Sequence, residues 1–162
     1  VLTREQAISY GASGPVARGS DFASDIRKRH PYSAYDRVDF KEAVRTEGDN
    51  LARYKVRIDE MWESMNIIEQ LIDNIPEGDY QTPTKAVIKL PKGEYYQRVE
   101  TARGELCVYI NSTGTKNPYR MKFRSHGFSN LSLLNEIVVG GKIGDLVATM
   151  ATIDIVVPDI DR

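Results

Sequence analysis

Apolar residues along this chain change their period twice. Between about Asp49 and Asn74, Leu51, Tyr54, Ile58, Met61, Trp62, Met65, Ile68 and Ile72 recur at spacings of three and four. That pattern predicts one long helix with a single apolar face. Asp49 or Asn50 can cap its start, and Pro76 with Gly78 stops it. Val56, Ile67 and Leu71 broaden the stripe, so the helix is expected to sit between two layers of protein. At 1.5 Å per residue its length would be about 40 Å. After Pro83 the period becomes two: Val99, Leu106, Val108, Ile110 and then Tyr119, Met121, Phe123 alternate in short runs separated by Gly- and Asn-rich turns. Three antiparallel strands are predicted near 94–101, 105–112 and 118–124. From Ser129 the helical period returns through Leu131, Leu134, Ile137 and Val138, and a last helix runs from Ile143 to Thr152 ahead of an irregular tail.

The first third is weaker in pattern. Thr3 can cap a short helix through Ala7 and Tyr10, which Gly11-Ala12-Ser13-Gly14-Pro15 breaks. A second short helix is expected from Asp21 to Arg29, followed by an extended connector through Tyr32, Tyr35 and Phe40. The fold class is therefore α+β, helix-dominated, with a small antiparallel sheet. One domain spans 1–162: a helical part over 1–80, the sheet over 81–125, and a helical C-terminal part and tail over 126–162.

Composition narrows the function classes. With 41% hydrophobic and 28% charged residues and a net charge of −1, nothing points to nucleic acid or an anionic membrane as partner. No window is long and apolar enough for a transmembrane segment. The one cysteine, Cys107, cannot form an internal disulfide or a thiolate metal site, and His30 and His126 lie outside any metal-ligand spacing. Gly11, Gly14 and Gly19 have neither the strand nor the Gly-Lys-Ser/Thr that a phosphate loop requires. The basic run Arg27-Lys28-Arg29-His30 reads as a solvated helix face that could also hold an acidic subunit or lipid headgroups. On the strands, Glu94, Glu100 and Glu105 flank Arg98 and Arg103, which reads first as cross-strand ion pairing on an exposed sheet face; Arg120, Lys122 and Arg124 share one face of the third strand, with Glu100 and Glu105 as candidate answering acids. Asp154, between an apolar helix and Ile155-Val156-Val157, is expected to be partly buried and so to need a cation or backbone donors. The opening Val1-Leu2-Thr3 carries no initiator Met, which suggests a portion of a longer polypeptide.

Seven strings in order carry a resemblance. Tyr10-Gly11-Ala12-Ser13-Gly14-Pro15 through Ser20, Asp25-Ile26-Arg27-Lys28 with Pro31-Tyr32 and Tyr35, and Gly48-Asp49 with Arg53-Tyr54 and Arg57-Ile58-Asp59-Glu60-Met61 come first. Pro91-Lys92-Gly93-Glu94, Glu100 through Leu106, Pro118 through Arg124, and the closing Asp161-Arg162 follow. Together they resemble the C-terminal portion of the D subunit of proton-pumping NADH:quinone oxidoreductase, respiratory complex I, over nearly the whole chain.

The resemblance implies a fold similar to the nickel-iron hydrogenase large subunit. That family's Asp-Pro-Cys-x-x-Cys tail falls on Asp154, Val156 and Asp159, which leaves no thiolates for a nickel-iron centre. It implies that these three residues help wall a quinone chamber, beside an iron-sulfur cluster held by a neighbouring subunit, with FMN and NAD chemistry elsewhere in the complex. Arg18 and Arg124 would be held by carboxylates at the domain junction, with Glu100 and Glu105 as ion-pair candidates. No catalytic residue, metal ligand or cofactor is expected of this chain alone, and the isolated segment is expected to be inactive. Partners would be the cluster-bearing subunit and the peripheral and membrane arms, on the cytoplasmic side of a bacterial inner membrane. The alternatives are a purely structural or assembly module, and an energy-converting hydrogenase relative. One departure is local: where the family has Arg-Ala-Pro-x-Phe, this chain has Arg124-Ser125-His126-Gly127-Phe128.

Overall fold

A computed structural model describes residues 1–161. The chain begins with three short helices, α1 (Arg4–Ser9), α2 (Gly14–Arg18) and α3 (Ile26–Arg29), and continues into the long α4 (Asn50–Ile72). A meander of β1 (Gly93–Thr101), β2 (Gly104–Ser112) and β3 (Arg120–Arg124) follows. The chain ends with α5 (His126–Ser132), α6 (Leu134–Ile137), α7 (Ile143–Ile153) and α8 (Val157–Ile160). Both ends of the chain share the core. Leu2, Ala7, Ala12, Val16 and Ala17 pack with Leu133 and Ile153 in one buried cluster. Among the described residues no helix is long and apolar enough to cross a membrane.

Local chemistry explains the element boundaries. Thr3 and Gln6 form a reciprocal capping box on α1. The glycine-proline segment that ends α1 also starts α2, because Pro15 sits in the first turn, where a missing N–H costs nothing. The helix expected from Asp21 contracts to Ile26–Arg29. Asp21 takes a left-handed backbone (φ 58°) with its N–H on the Arg45 carbonyl, and Asp25 spends its side chain capping Arg27. The connector is not simply extended: tight turns place Tyr32 against Tyr35 at 5.0 Å between ring centroids, and Tyr35 against Phe40 at 6.1 Å. Within the basic run Lys28, Arg29 and His30 stay exposed, as a solvated face should, and the first three cations also lie over aromatic rings. Arg27 sits 5.0 Å from the Phe40 ring centre, Lys28 4.1 Å from the same ring, and Arg29 5.5 Å from Phe22.

The long helix forms where expected, capped by the Asp49 carboxylate on the Ala52 N–H at 2.7 Å, but it faces the other way. Ala52, Arg53, Val56 and Ile67 are buried, whereas Leu51, Tyr54, Met61, Trp62, Met65, Ile68 and Ile72 are all more than half exposed. The inward face is chosen by close approach and polar pairing. A Cβ on Gly19 would lie 2.9 Å from Arg53 Cγ, so α2 rests on the small-residue side of α4. Asn50 and Arg53 donate to the Thr149 and Thr152 hydroxyls, tying α7 to the same side. Among the described residues α2, α7 and the segment 39–45 lie along this helix.

The sheet runs in the order β1-β2-β3, antiparallel throughout, with Glu100 opposite Glu105 and Cys107 opposite Arg124. β3 pairs only with Cys107 to Asn111 of β2, so its cations never reach the carboxylate end of the hairpin. The expected pairing of Arg120, Lys122 and Arg124 with Glu100 and Glu105 therefore does not form. Arg124 donates to the Gly11 carbonyl and Ser129 hydroxyl instead. His126 opens α5 under the Ser125 cap, and part of the expected irregular tail folds as α8 with Pro158 in its first turn.

Candidate functional site

The β1–β2 hairpin tip is driven into the helical body, and glycine makes that possible. Gly14 adopts φ +66° and its missing Cβ would lie 2.4 Å from the Arg103 carbonyl oxygen; a Cβ on Gly104 would lie 2.5 Å from Ser13 Oγ. The Ser13 hydroxyl then accepts the Glu105 N–H at 3.2 Å. Behind this contact, Asn130, fully buried, accepts the Ser13 N–H at 3.3 Å and donates to its carbonyl at 3.4 Å. The result is a seam where α2, α3, α4, the hairpin tip and the end of α7 bring four arginines and four carboxylates together.

Arg18 is the centre of the first half. Only 1% of its side chain is exposed, and it donates through Nε to Glu60 at 2.6 Å and through Nη1 to Glu100 at 2.8 Å. Glu100 also accepts the Ile26 N–H at 3.2 Å through its second oxygen. One guanidinium thus serves two acids, and the two sides titrate unequally. Burial pulls the arginine down, but Glu60 and Glu100 outweigh it and hold its pKa above the ordinary value. For Glu60 and Glu100 burial wins over the shared cation, and both carboxyls are raised above theirs. Asp25 behaves oppositely. Burial opposes its charge, but Arg27 binds both of its oxygens and lowers it. A cavity of about 450 Å³ opens beside this network, bordered by Arg18, Arg27, Arg57, Glu60, Glu100 and Tyr35.

The second half is built on Asp154. It ends α7 in the left-handed conformation (φ 59°) with its N–H on the Met150 carbonyl. Its Oδ2 lies 3.0 Å from Arg103 Nε and 3.5 Å from Arg57 Nη1, while Arg57 Nη2 donates to the Thr152 carbonyl at 3.2 Å. Asp154 stays 37% exposed, so a charged carboxylate faces solvent between two guanidiniums, with half-buried Ile155 and Val156 following it. Burial lowers the Arg57 pKa, and Arg103 opposes its charge further. Two cations on one exposed acid leave this half of the seam electropositive.

Asp159 stands elsewhere. It lies 3.7 Å from His126 and borders a second cavity, also about 450 Å³, with Phe123, Phe128, Lys122 and Arg124. Of the residues singled out from sequence, Arg18 and Glu100 meet in one ion pair, and Glu105 pairs with Arg98 at 3.4 Å. Asp154 and Asp159 belong to different clusters. The arginines that hold Asp154 carried no site assignment from sequence. The available signal was Arg57-x-x-Glu60, two opposite charges three apart on the polar side of a long amphipathic helix. Polar residues there usually meet solvent; here that side faces inward.

A single buried thiol, Cys107, cannot supply the ligand set of an iron-sulfur cluster, and no group of three His, Cys, Asp or Glu side chains placed to hold a metal occurs among the described residues. The chain matches the family model for the respiratory-chain NADH dehydrogenase 49 Kd subunit over residues 1–91 and 84–162. It is 57% identical over its whole length to the NADH-quinone oxidoreductase C/D subunit of Phocaeicola vulgatus, covering 31% of that protein. It is 50% identical to the NADH-quinone oxidoreductase D subunit of Desulfotalea psychrophila, over 99% of this chain and 44% of that protein. To the D subunit of the same name from Dehalococcoides mccartyi it is 44% identical, again covering 44% of the relative. The chain thus spans less than half the length of these relatives. Matched by the family model along its whole length, this chain belongs to the 49 Kd subunit family of respiratory-chain NADH dehydrogenases, as the C-terminal part of the D subunit.

Proposed function

We propose that this chain forms one wall of the quinone chamber of a proton-pumping NADH:quinone oxidoreductase, and part of the docking surface for the cluster-bearing subunit. The observation that carries the reading is Asp154, half-exposed at a helix end between Arg57 and Arg103, with the apolar Ile155-Val156 beside it. A quinone needs an apolar wall for its ring and tail and few polar groups for its oxygens. This stretch offers both. Asp154 orients the two guanidiniums, and their excess positive charge favours negative charge developing on a quinone oxygen as electrons arrive from outside this chain. NADH oxidation, FMN and the iron-sulfur clusters belong to neighbouring subunits on this reading, and the assembly sits peripherally on the cytoplasmic face of the inner membrane. The tail stands where a hydrogenase-like ancestor would have held metal, with Val156 and Asp159 in place of thiolates.

Asp154→Asn in the assembled enzyme tests this. It removes the anion and leaves the shape. The expected result is normal assembly with lowered quinone reductase activity and altered sensitivity to quinone-site inhibitors. Unchanged activity and inhibition would sink the wall role. A loss matching the loss of assembled complex would favour a scaffold without pocket residues.

A further inference from the structure

We propose that Glu60 and Glu100 form a proton-binding site that takes up one proton when negative charge builds at the Asp154 end of the seam. The source of that charge rests on the quinone reading; the proton site rests on the seam alone.

The two halves of the seam carry charge excesses of opposite sign. In the first, one guanidinium, Arg18, answers both Glu60 at 2.6 Å and Glu100 at 2.8 Å, while Arg27 is closed on Asp25 at 2.7 Å. Acids outnumber cations there. In the second, Arg103 and Arg57 share Asp154 at 3.0 and 3.5 Å, so cations outnumber acids. Arg57 joins the halves. It stands three residues before Glu60 on α4, on the same side of the helix, and borders the same cavity as Arg18, Glu60 and Glu100.

Burial decides which groups can hold the proton. Arg18 is 1% exposed and Glu100 3%, both buried by this chain's own elements. A carboxylate at Glu100 loses its hydration and keeps a shared cation and the Ile26 N–H. One proton on the pair cancels the excess acid and leaves a single carboxylate for Arg18. Burial accordingly raises both carboxyls above their ordinary value, against the pull of Arg18. The other charged and titratable groups facing the pair are Asp25 and Arg27 at α3, Arg57 on α4, and Tyr32 and Tyr35 on the connector. Burial opposes the Asp25 charge, but Arg27 outweighs it and keeps that acid ionised. Burial lifts the Tyr32 phenol, which accepts the Glu100 N–H, further from neutrality. The guanidiniums stay charged.

The positive excess at Arg57 and Arg103 holds down the proton affinity of the pair, and an anion at the wall cancels that excess. A unit charge on the order of 10 Å from a carboxyl changes its proton affinity roughly tenfold at an effective dielectric of about 20. The proton comes from solvent and forms one O–H bond on a glutamate oxygen. No electron moves with it, and it returns to solvent when the wall charge is gone. Linkage is reciprocal, so a protonated pair binds an anionic wall ligand more tightly by the same factor.

Calorimetry on the assembled enzyme, run in buffers of different ionisation enthalpy, counts the protons taken up per ligand bound. The probes are a ring-hydroxylated naphthoquinone, ionised at neutral pH, and its uncharged methyl ether. The expected result is extra proton uptake with the anion near neutral pH, absent with the ether. It should be lost in Glu60→Gln and in Glu100→Gln, which keep the shape of a protonated carboxyl. Affinity for the anion should fall up to roughly tenfold as pH rises through the titration of the pair in the parent, and stay level in both variants. Equal uptake for the two probes overturns the coupling. Uptake kept in both variants assigns the proton to another group and overturns the site. Infrared difference spectra between ligand-free parent and Glu60→Gln, the more exposed of the two acids, read the site apart from quinone. A protonated-carboxyl stretch should persist above the range of an ordinary glutamate, about 4.3, and its absence overturns the proton site however quinone binds. That stretch, together with probes that quinone does not displace, would sink the quinone reading and the coupling while keeping the site.

Discussion

Replacing Arg18 with Met removes the one cation that two buried acids share. The substitution keeps most of the side-chain volume, so the loss is electrostatic. It deletes the contacts to Glu60 at 2.6 Å and Glu100 at 2.8 Å. The two acids are not equally exposed to the consequence. Glu60, 17% exposed, can turn toward water; Glu100, at 3%, keeps only the Ile26 N–H. Breaking a buried pair by removing one partner costs about 3–5 kcal/mol, most of it the uncompensated charge left behind. The same reasoning sets the pH dependence. In the folded protein Glu100 is already raised above its ordinary value of 4.5 by burial, and loss of Arg18 raises it further. A carboxyl raised in the folded state binds its proton more tightly there than in the unfolded chain. Stability is therefore highest at low pH and falls as pH climbs from the unfolded value through the folded one. The gap between variant and parent should be small near about pH 5 and reach its full size by about pH 8, where both acids would have to be charged. Urea unfolding of the full-length subunit at the two pH values measures it. A gap below about 1 kcal/mol, the size of an exposed pair, or one of equal size at both pH values, would refute the claim that Arg18 neutralises buried charge.

Other substitutions test the scaffold around this seam. Gly14→Ala meets both a left-handed backbone and the Arg103 carbonyl, and should cost about 2–4 kcal/mol in urea unfolding; a loss below about 0.5 kcal/mol would mean the hairpin tip does not seat on α2. Asn130→Ala strips both hydrogen bonds from the buried Ser13 backbone and should destabilise by about 1–3 kcal/mol, whereas an unchanged midpoint would contradict that pairing. Asp49→Ala removes the α4 cap and is expected to cost about 1 kcal/mol, with the parent value largely kept by Asp49→Ser.

Elements with a strong period were legible in the sequence. The long helix, the three strands and the last long helix lie within a few residues of their expected places, because each carries its own hydrophobic pattern and its own cap or turn. The orientation of the long helix was not. Hydrophobic pattern finds the apolar side of a helix but assumes that side is buried within the same chain; Arg53 and Arg57 reverse the assumption by anchoring α7 to the polar side. The short helices α2 and α8 were missed for a different reason. Each is at most five residues and begins beside a proline that reads equally well as a breaker. At the site, Arg18 and Glu100 could be named singly, and Asp154 could be expected to need a cation. Its partners, Arg57 and Arg103, lie 97 and 51 positions away in the chain, and no local pattern joins them. Glu105 takes the cross-strand partner Arg98 that the hairpin pattern offers, but not Arg120, Lys122 or Arg124, because strand alternation gives the face of a residue and not the length over which two strands pair.

The central claim is that the end of α7 faces bound quinone. A photoreactive quinone analogue, activated in the assembled enzyme and followed by peptide mapping, tests it most directly. The account predicts labelling within the Asp154–Val156 stretch, suppressed by excess unmodified quinone and by quinone-site inhibitors. Labelling confined to other subunits, or label on this stretch that excess quinone does not displace, would contradict it.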